Sequence, residues 1–178
     1  VISRANQQVM FPAKFQLIAA MHPCSCGYFC DLKRACRCTP DQLRRYRDRV
    51  SGPLLDRIDI QVNVNRLPAA MINRNHNSEE SSTTVRQRVS ACRQLQHQRC
   101  GKTNGQMTNK ETEEHCILTP TDQQLLNQAA DKLQLSARAY HRILRVARTI
   151  ADMDKEGQIQ QPHLVEAIAY RALDKETL

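Results

Sequence analysis

The 178-residue sequence predicts an α/β portion over residues 1–65 and an all-helical portion over 83–178, so that the chain as a whole is mostly α. Three observations carry this reading. Two short runs, "FQLIAAM" at 15–21 and "IDIQVNV" at 58–64, have strand character. The composition then changes at 66–82, where "NRNHNSEESS" is polar and turn-rich, as linkers are. Beyond it the segments open with helix-start signals.

The elements follow in order. "FQLIAAM" has the length of a strand buried on both faces. It ends at His22-Pro23, where proline stops ladder pairing. "TPDQ" at 39–42 starts a helix that reaches about residue 49: Thr39 caps it, Pro40 takes the first helical position and Gln42 closes a capping box. "SGPLLDR" at 51–57 is a turn with a short helical turn, and "IDIQVNV" alternates like a half-exposed strand. After the linker come a helix over 83–99, ended by "GKTNGQ", and a short helix over 110–117. A third runs from Thr119-Pro120 to about Leu133, and a fourth from its Ser136 cap to about Asp154. Ala139, Ile143, Val146 and Ile150 give that fourth helix an apolar face. Pro162 opens the last helix, with Leu164, Val165, Ile168, Ala169 and Ala172 assigned to its core face.

Lys and Arg total 26 against 18 Asp and Glu, a net charge of +8 and a pI near 9.3. This balance favours polyanionic partners. Aromatic residues make up 4% and Trp is absent, which argues against base stacking on exposed rings. No run approaches the ~18 uninterrupted apolar residues of a membrane span, so no membrane partner is expected. The start at Val1 reads as mid-pattern, a piece of a longer protein. With no export signal in view, the expected compartment is the reducing cytoplasm.

Five of the eight cysteines fall in "CSCGYFCDLKRACRC" at 24–38. The pattern is C-x-C, nine residues, C-x-C, with Cys30 as a spare. Three readings compete: a metal knuckle, a disulfide framework, or small buried residues. A reducing compartment weakens the disulfide reading, and close cysteine pairs resemble structural zinc ligands. Gly27 can supply the sharp turn that C-x-C requires. Cys92, Cys100 and Cys116 are scattered and read as free thiols.

"CGKTN" at 100–104 is not a phosphate loop, because position 96, where that loop needs Gly, is Gln. Gly101 reads instead as a left-handed helix cap. "SGPLLDRIDI" at 51–60 sets Arg57 on a rigid junction, from which a guanidinium can reach a phosphate. The alternative is a local pair with Asp56 or Asp59. Arg138, Arg142, Arg145 and Arg148 share one helix face. For the last three a solvated basic face is expected.

Taken together, "FPAKFQLIAAMHPCSCGYFCDLKRACRCTP…RYRDRVSGPLLDRIDI" and "LSARAYHRILRVARTIADM" resemble the C-terminal part of the magnesium-chelatase-like AAA+ ATPases, across nearly the whole chain. The resemblance implies the end of an AAA+ α/β core at 1–65, carrying a sensor-1 strand, a cysteine insertion and an arginine-finger element. A linker at 66–82 and a helical lid at 83–178 with sensor 2 complete it. Walker A and Walker B would lie upstream. "VISRA" resembles the second half of a hairpin inserted before the sensor-1 strand. His22 falls at the sensor-1 position, usually Asn in the family. Arg57 matches the arginine finger, which acts on the neighbouring subunit's nucleotide. Arg138 matches the sensor-2 arginine, assigned to the nucleotide of its own subunit. Cys24, Cys26, Cys36 and Cys38 match a four-cysteine insertion suited to a structural zinc ion.

The function implied is an ATP- and magnesium-dependent hexameric ring, formed with further copies of itself. It would act on DNA as a helicase that promotes branch migration in recombination and natural transformation. The rivals are a chelatase-type protein remodeller and a zinc-containing DNA-binding module.

Overall fold

The computed structural model describes residues 2–4, 7–12, 15–29, 31, 33–64 and 80–176. Among them are an antiparallel ribbon, β1 (Ile2–Arg4) with β2 (Gln7–Val9), and seven α-helices. The helices are α1 (Pro40–Arg47), α2 (Gly52–Leu55), α3 (Ser82–Cys100), α4 (Asn109–His115), α5 (Pro120–Lys132), α6 (Ala137–Met153) and α7 (Gln161–Glu176). The linker expected at 66–82 falls outside the described residues as far as residue 79, and so does Cys30.

Local chemistry sets the helix boundaries. Thr39 accepts the Gln42 N–H while the Gln42 side chain accepts the Thr39 N–H, the capping box expected for α1. Ser81, Thr108, Thr119 and Ser136 each accept the N–H three residues on, at the starts of α3, α4, α5 and α6. Caps of this kind contribute about 1 kcal/mol each. Gly101 ends α3 at φ +66°, the left-handed cap expected in place of a phosphate loop.

The core is built on α6. Ile143, Leu144, Ala147 and Ala151 pack with Met107, Cys116, Leu126, Ile159, Leu164 and Ala167. On α7 the buried stripe is Leu164, Ala167 and Arg171 with half-buried Ile168, whereas Val165 and Ala169 face solvent. This corrects the expected face at Val165 and Ala169; Leu164 and Ile168 lie where expected, and the side chain of Ala172 falls outside the described ones. α7 is apolar over more than one stripe, and its packing against α6 selects the i, i+3, i+4, i+7 set.

A buried polar cluster crosses this core. Asp152, 3% exposed, accepts both terminal nitrogens of Arg99 at 2.6 and 2.7 Å. It also accepts Asn104 Nδ2 at 2.8 Å, and Arg148 Nε and Nη2 at 3.1 and 2.9 Å. Arg148, 2% exposed, goes on to donate to the carbonyls of Gly157 and Glu156. The network ties α3, the 3₁₀ turn Asn104–Gln106, α6 and the α6–α7 loop. Arg148 is therefore not part of a solvated basic face. Its i, i+4 partner Asp152 draws it inward.

The first portion departs from expectation. Residues 15–21 and 58–64 form no strands. Phe15, Leu17, Ile18 and Met21 are exposed, as are Ile60, Val62 and Val64. A strand is held by ladder hydrogen bonds from its neighbours. Among the described residues no segment supplies them, apart from a single bond in which the Gln61 N–H donates to the Tyr170 carbonyl of α7 at 3.1 Å. Among the described residues of 1–65 no α/β layer is seen. "VISRA" also differs: its Ile2–Arg4 strand is the first half of its own ribbon, paired Ile2 to Val9, Ser3 to Gln8 and Arg4 to Gln7.

Candidate functional site: arginine turn and cysteine knuckle

The cysteine knuckle forms around one tight turn. The Gly27 N–H donates to the Cys24 carbonyl at 3.0 Å, with Gly27 at φ +79°, where glycine is favoured. The turn aims both sulfurs of C-x-C the same way. Cys24 and Cys26 Sγ lie 3.3 Å apart, and Cys36 Sγ stands 3.7 and 3.5 Å from them. Cys38 completes the set, the four sulfurs lying within 4.8 Å of one another. A disulfide requires about 2.05 Å, and all four are free thiols. A tetrahedral zinc with Zn–S near 2.3 Å places its sulfurs about 3.8 Å apart, so the set fits a single ion.

The electrostatics agree with the geometry. The backbone N–H groups of Arg37 and Tyr28, with Cys24, pull the Cys26 thiol down to about 6. At Cys36 the Cys38 N–H favours thiolate, but burial and the neighbouring cysteines outweigh it and push the thiol up to about 12. Four thiols this close cannot all ionise without a cation to offset their repulsion, and a soft dication suits that role. Cys24, 1% exposed, also accepts the Phe29 N–H at 3.3 Å, which orients its sulfur.

His22 is exposed and lies against this turn, its Nδ1 3.6 Å from where a Cβ on Gly27 would stand. The other cysteines behave as free thiols in packing. Cys92 and Cys116 are buried, Cys100 is half-buried, and burial pushes Cys116 up to about 12.

Arg57 lies in the turn after α2 and is exposed. Its Nη1 donates to the Pro53 carbonyl at 2.9 Å. Neither Asp56 nor Asp59 pairs with it. Asp59 is taken by Arg142 of α6. The turn itself is clamped from α7. Arg171, 1% exposed, donates Nη1 to the carbonyls of Leu55 and Ile58 at 3.1 and 2.8 Å, and Nη2 to that of Asp56 at 3.1 Å. One planar fork thus meets three carbonyls at and just beyond the end of α2; that of Leu55 also accepts the Ile58 N–H at 3.0 Å. Arg171, Asp59–Arg142 and Gln61–Tyr170 together fasten residues 55–61 to the helical domain.

Arg138 is exposed in the first turn of α6 and makes no ion pair or hydrogen bond among the described residues. Arg142, one turn on, holds Asp59, and Arg145 reaches Thr112 Oγ1 and Asn109 Oδ1, both at 3.1 Å. The structure thus brings the four cysteines together beside His22, and joins the Arg57 turn to the helix that carries Arg138. Arg171 and Arg99 were not singled out in the sequence. For Arg171 the available signal was an arginine on the apolar stripe of Leu164 and Ala167, which is buried only when paired or hydrogen-bonded; Arg99, on the polar α3, carried no such signal.

Comparison with known proteins agrees with this arrangement of parts. The family model for magnesium chelatase, subunit ChlI, matches residues 1–72, and that for the ChlI C-terminal region matches residues 79–171. The chain belongs to the magnesium chelatase ChlI-type family. It is 46% identical to Competence protein ComM of Haemophilus influenzae, over 97% of this chain and 34% of the relative. It is 40% identical to the protein YifB of Salmonella typhimurium and 41% to that of Escherichia coli, each over 98% of this chain and 34% of the relative. The chain therefore spans about a third of the length of the curated relatives it matches, and corresponds to a C-terminal fragment of them. No helix among the described residues is long and apolar enough to cross a membrane.

Proposed function

We propose that this chain is the C-terminal part of an AAA+ ATPase that assembles as a hexameric ring and uses ATP with magnesium to move DNA strands in branch migration. The observation that supports this most is Arg57: an exposed guanidinium, unpaired by nearby acids, on a turn whose carbonyls are gripped by Arg171. A side chain so presented suits a charge outside its own subunit. Arg138, exposed at the start of α6, is proposed as the sensor-2 contact to phosphate, and His22 as the sensor-1 position. Residues 1–65 would complete an α/β core once joined to upstream strands, which would also cover the apolar side chains of 15–21.

The test is ATP hydrolysis by the full-length protein with and without DNA. Stimulation by branched or single-stranded DNA is expected. Arg138→Ala is expected to weaken the response to ATP, read as a higher KM. A DNA-independent ATPase whose rate rises instead with a protein client would favour the chelatase-type remodeller, the reading nearest to the family's name. A zinc-containing DNA-binding module is less well supported, since it leaves the gripped Arg57 turn without a role.

The cysteine knuckle is proposed to hold one structural zinc through Cys24, Cys26, Cys36 and Cys38. The ion would fix the loop between His22 and α1 and take no part in chemistry. Elemental analysis of protein made under reducing, zinc-replete conditions is expected to give about one zinc per chain. Cys36→Ser should lower that content and Cys30→Ser should not. Protein with no metal under those conditions would remove the assignment.

A further inference from the structure

Among the described residues, a concentration of unpaired charge lies on the knuckle and the helix that follows it. Residues 33–49 hold seven cations, Lys33, Arg34, Arg37, Arg44, Arg45, Arg47 and Arg49, against two acids, Asp41 and Asp48. All but Arg47 are exposed, and none of the seven forms an ion pair among the described residues. We propose that this face, the cysteine knuckle with α1, is a binding surface for the phosphate backbone of DNA. The proposal rests on the reading of the protein as one that moves DNA, and assigns where part of that binding is made.

The geometry favours the DNA backbone over the bases. The Arg34 guanidinium carbon lies 5.1 Å from the centroid of the Tyr28 ring, and its Nη1 donates to the Tyr28 hydroxyl at 2.6 Å. Arg47 lies 4.7 Å from the centroid of Phe29, which couples α1 to the knuckle. Each ring thus has a guanidinium over one face, which leaves less ring surface for stacking on a base. What the surface offers instead is pre-positioned donors. Arg34, Arg37 and Tyr28 line an open cleft of about 600 Å³ together with Cys26 and Ala35. A guanidinium already held on a ring loses little freedom on binding, and its planar fork matches two phosphate oxygens. Interactions of this type carry no sequence preference and depend steeply on salt.

A competing use of these cations is to balance the thiolates. Four thiolates on a dication carry a net charge of −2, whereas seven cations less two acids leave +5 on this segment. A surplus remains for an external polyanion.

The test compares the full chain with two charge-matched variants. One carries Arg34→Gln, Arg37→Gln and Arg44→Gln. The other carries Arg86→Gln, Arg93→Gln and Lys110→Gln, exposed cations elsewhere on the chain. Binding to a fluorescein-labelled DNA duplex is followed by anisotropy across a potassium chloride series, and zinc content is measured on each protein. The knuckle variant is expected to bind roughly tenfold more weakly or worse, with its salt slope reduced by about 1 for each phosphate that is no longer neutralised. The control variant should stay within about twofold of the parent protein, as expected for cations away from the DNA.

Equal losses in both variants would mean diffuse charge and overturn the proposal. So would a knuckle variant that binds as the parent does, or one whose loss of binding tracks a loss of zinc. If the parent chain binds DNA while the knuckle variant is unaffected, only this assignment fails. If the parent binds no DNA at low salt, the DNA reading falls with it.

Discussion

If the full-length protein is the ring ATPase proposed above, Arg57→Ala is expected to abolish its ATP hydrolysis while leaving folding and ATP binding largely intact. A finger arginine stabilises charge that develops on the transferred phosphoryl group and contributes roughly 10³–10⁵ in rate. Arg57 can be removed at little structural cost, because its single described bond is to the Pro53 carbonyl near the surface. The turn stays gripped by Arg171 through the carbonyls of Leu55, Asp56 and Ile58, which the substitution does not touch. Arg57→Lys should not restore full activity, since an ammonium lacks the planar fork. Mixing subunits decides the matter. A variant lacking Arg57 and a variant lacking its phosphate-loop lysine should each be inactive alone. Rings containing both should recover activity at interfaces that pair an intact loop with an intact finger. If mixed rings form and stay inactive, and Arg57→Ala alone still hydrolyses ATP, the finger assignment is wrong.

Asp152→Ala is expected to cost about 3–5 kcal/mol of stability, the range for removing one member of a buried ion cluster. The carboxylate accepts from Arg99, Asn104 and Arg148, and Arg148 is 2% exposed, so its charge would be stranded in the core. The urea midpoint of the Asp152→Ala chain reads the loss directly. The paired change Asp152→Leu with Arg148→Met should recover part of it, because it removes the stranded cation along with its partner. A midpoint close to that of the parent protein would show that the cluster contributes nothing net.

The same carboxylate gives the protein an acid limit. Burial alone would raise its pKa, but Arg99, Asn104 and Arg148 outweigh burial and hold it below the usual carboxylate range. Glu111 is pulled down to about 2 by Lys102 and the Thr108 cap. A depressed folded-state pKa means stability that is present above about 4.5, the ordinary unfolded range, and lost as pH falls through the folded value. The urea midpoint should therefore hold from neutral pH to about 5 and then fall steadily.

The helical portion was legible because its signals are local. A Ser or Thr followed three residues later by a free backbone N–H, a proline in the first turn or a glycine past the end marks a boundary whatever surrounds it. The structure reproduces those boundaries to within a few residues, at Thr39, Gly101, Thr119 and Ser136. The knuckle was legible for a similar reason: two C-x-C pairs and a glycine constrain where four sulfurs can go.

The two expected strands failed because strand formation is not local. "FQLIAAM" and "IDIQVNV" have the right patterns, but a pattern does not supply a ladder partner, and within this chain their apolar side chains stay exposed. The sequence by itself determined the helix limits, the grouping of the cysteines and, through its motifs, the family. Only the tertiary structure decided which arginines are structural and which are presented. Arg148 turned inward because Asp152 lies one turn away and the core closes over both. Arg171 was buried because α7 packs where the end of α2 offers it three carbonyls. Arg57 and Arg138 were left outside because nothing in the described chain reaches them with opposite charge. Burial of a charge depends on partners distant in sequence, and no local pattern carries that information.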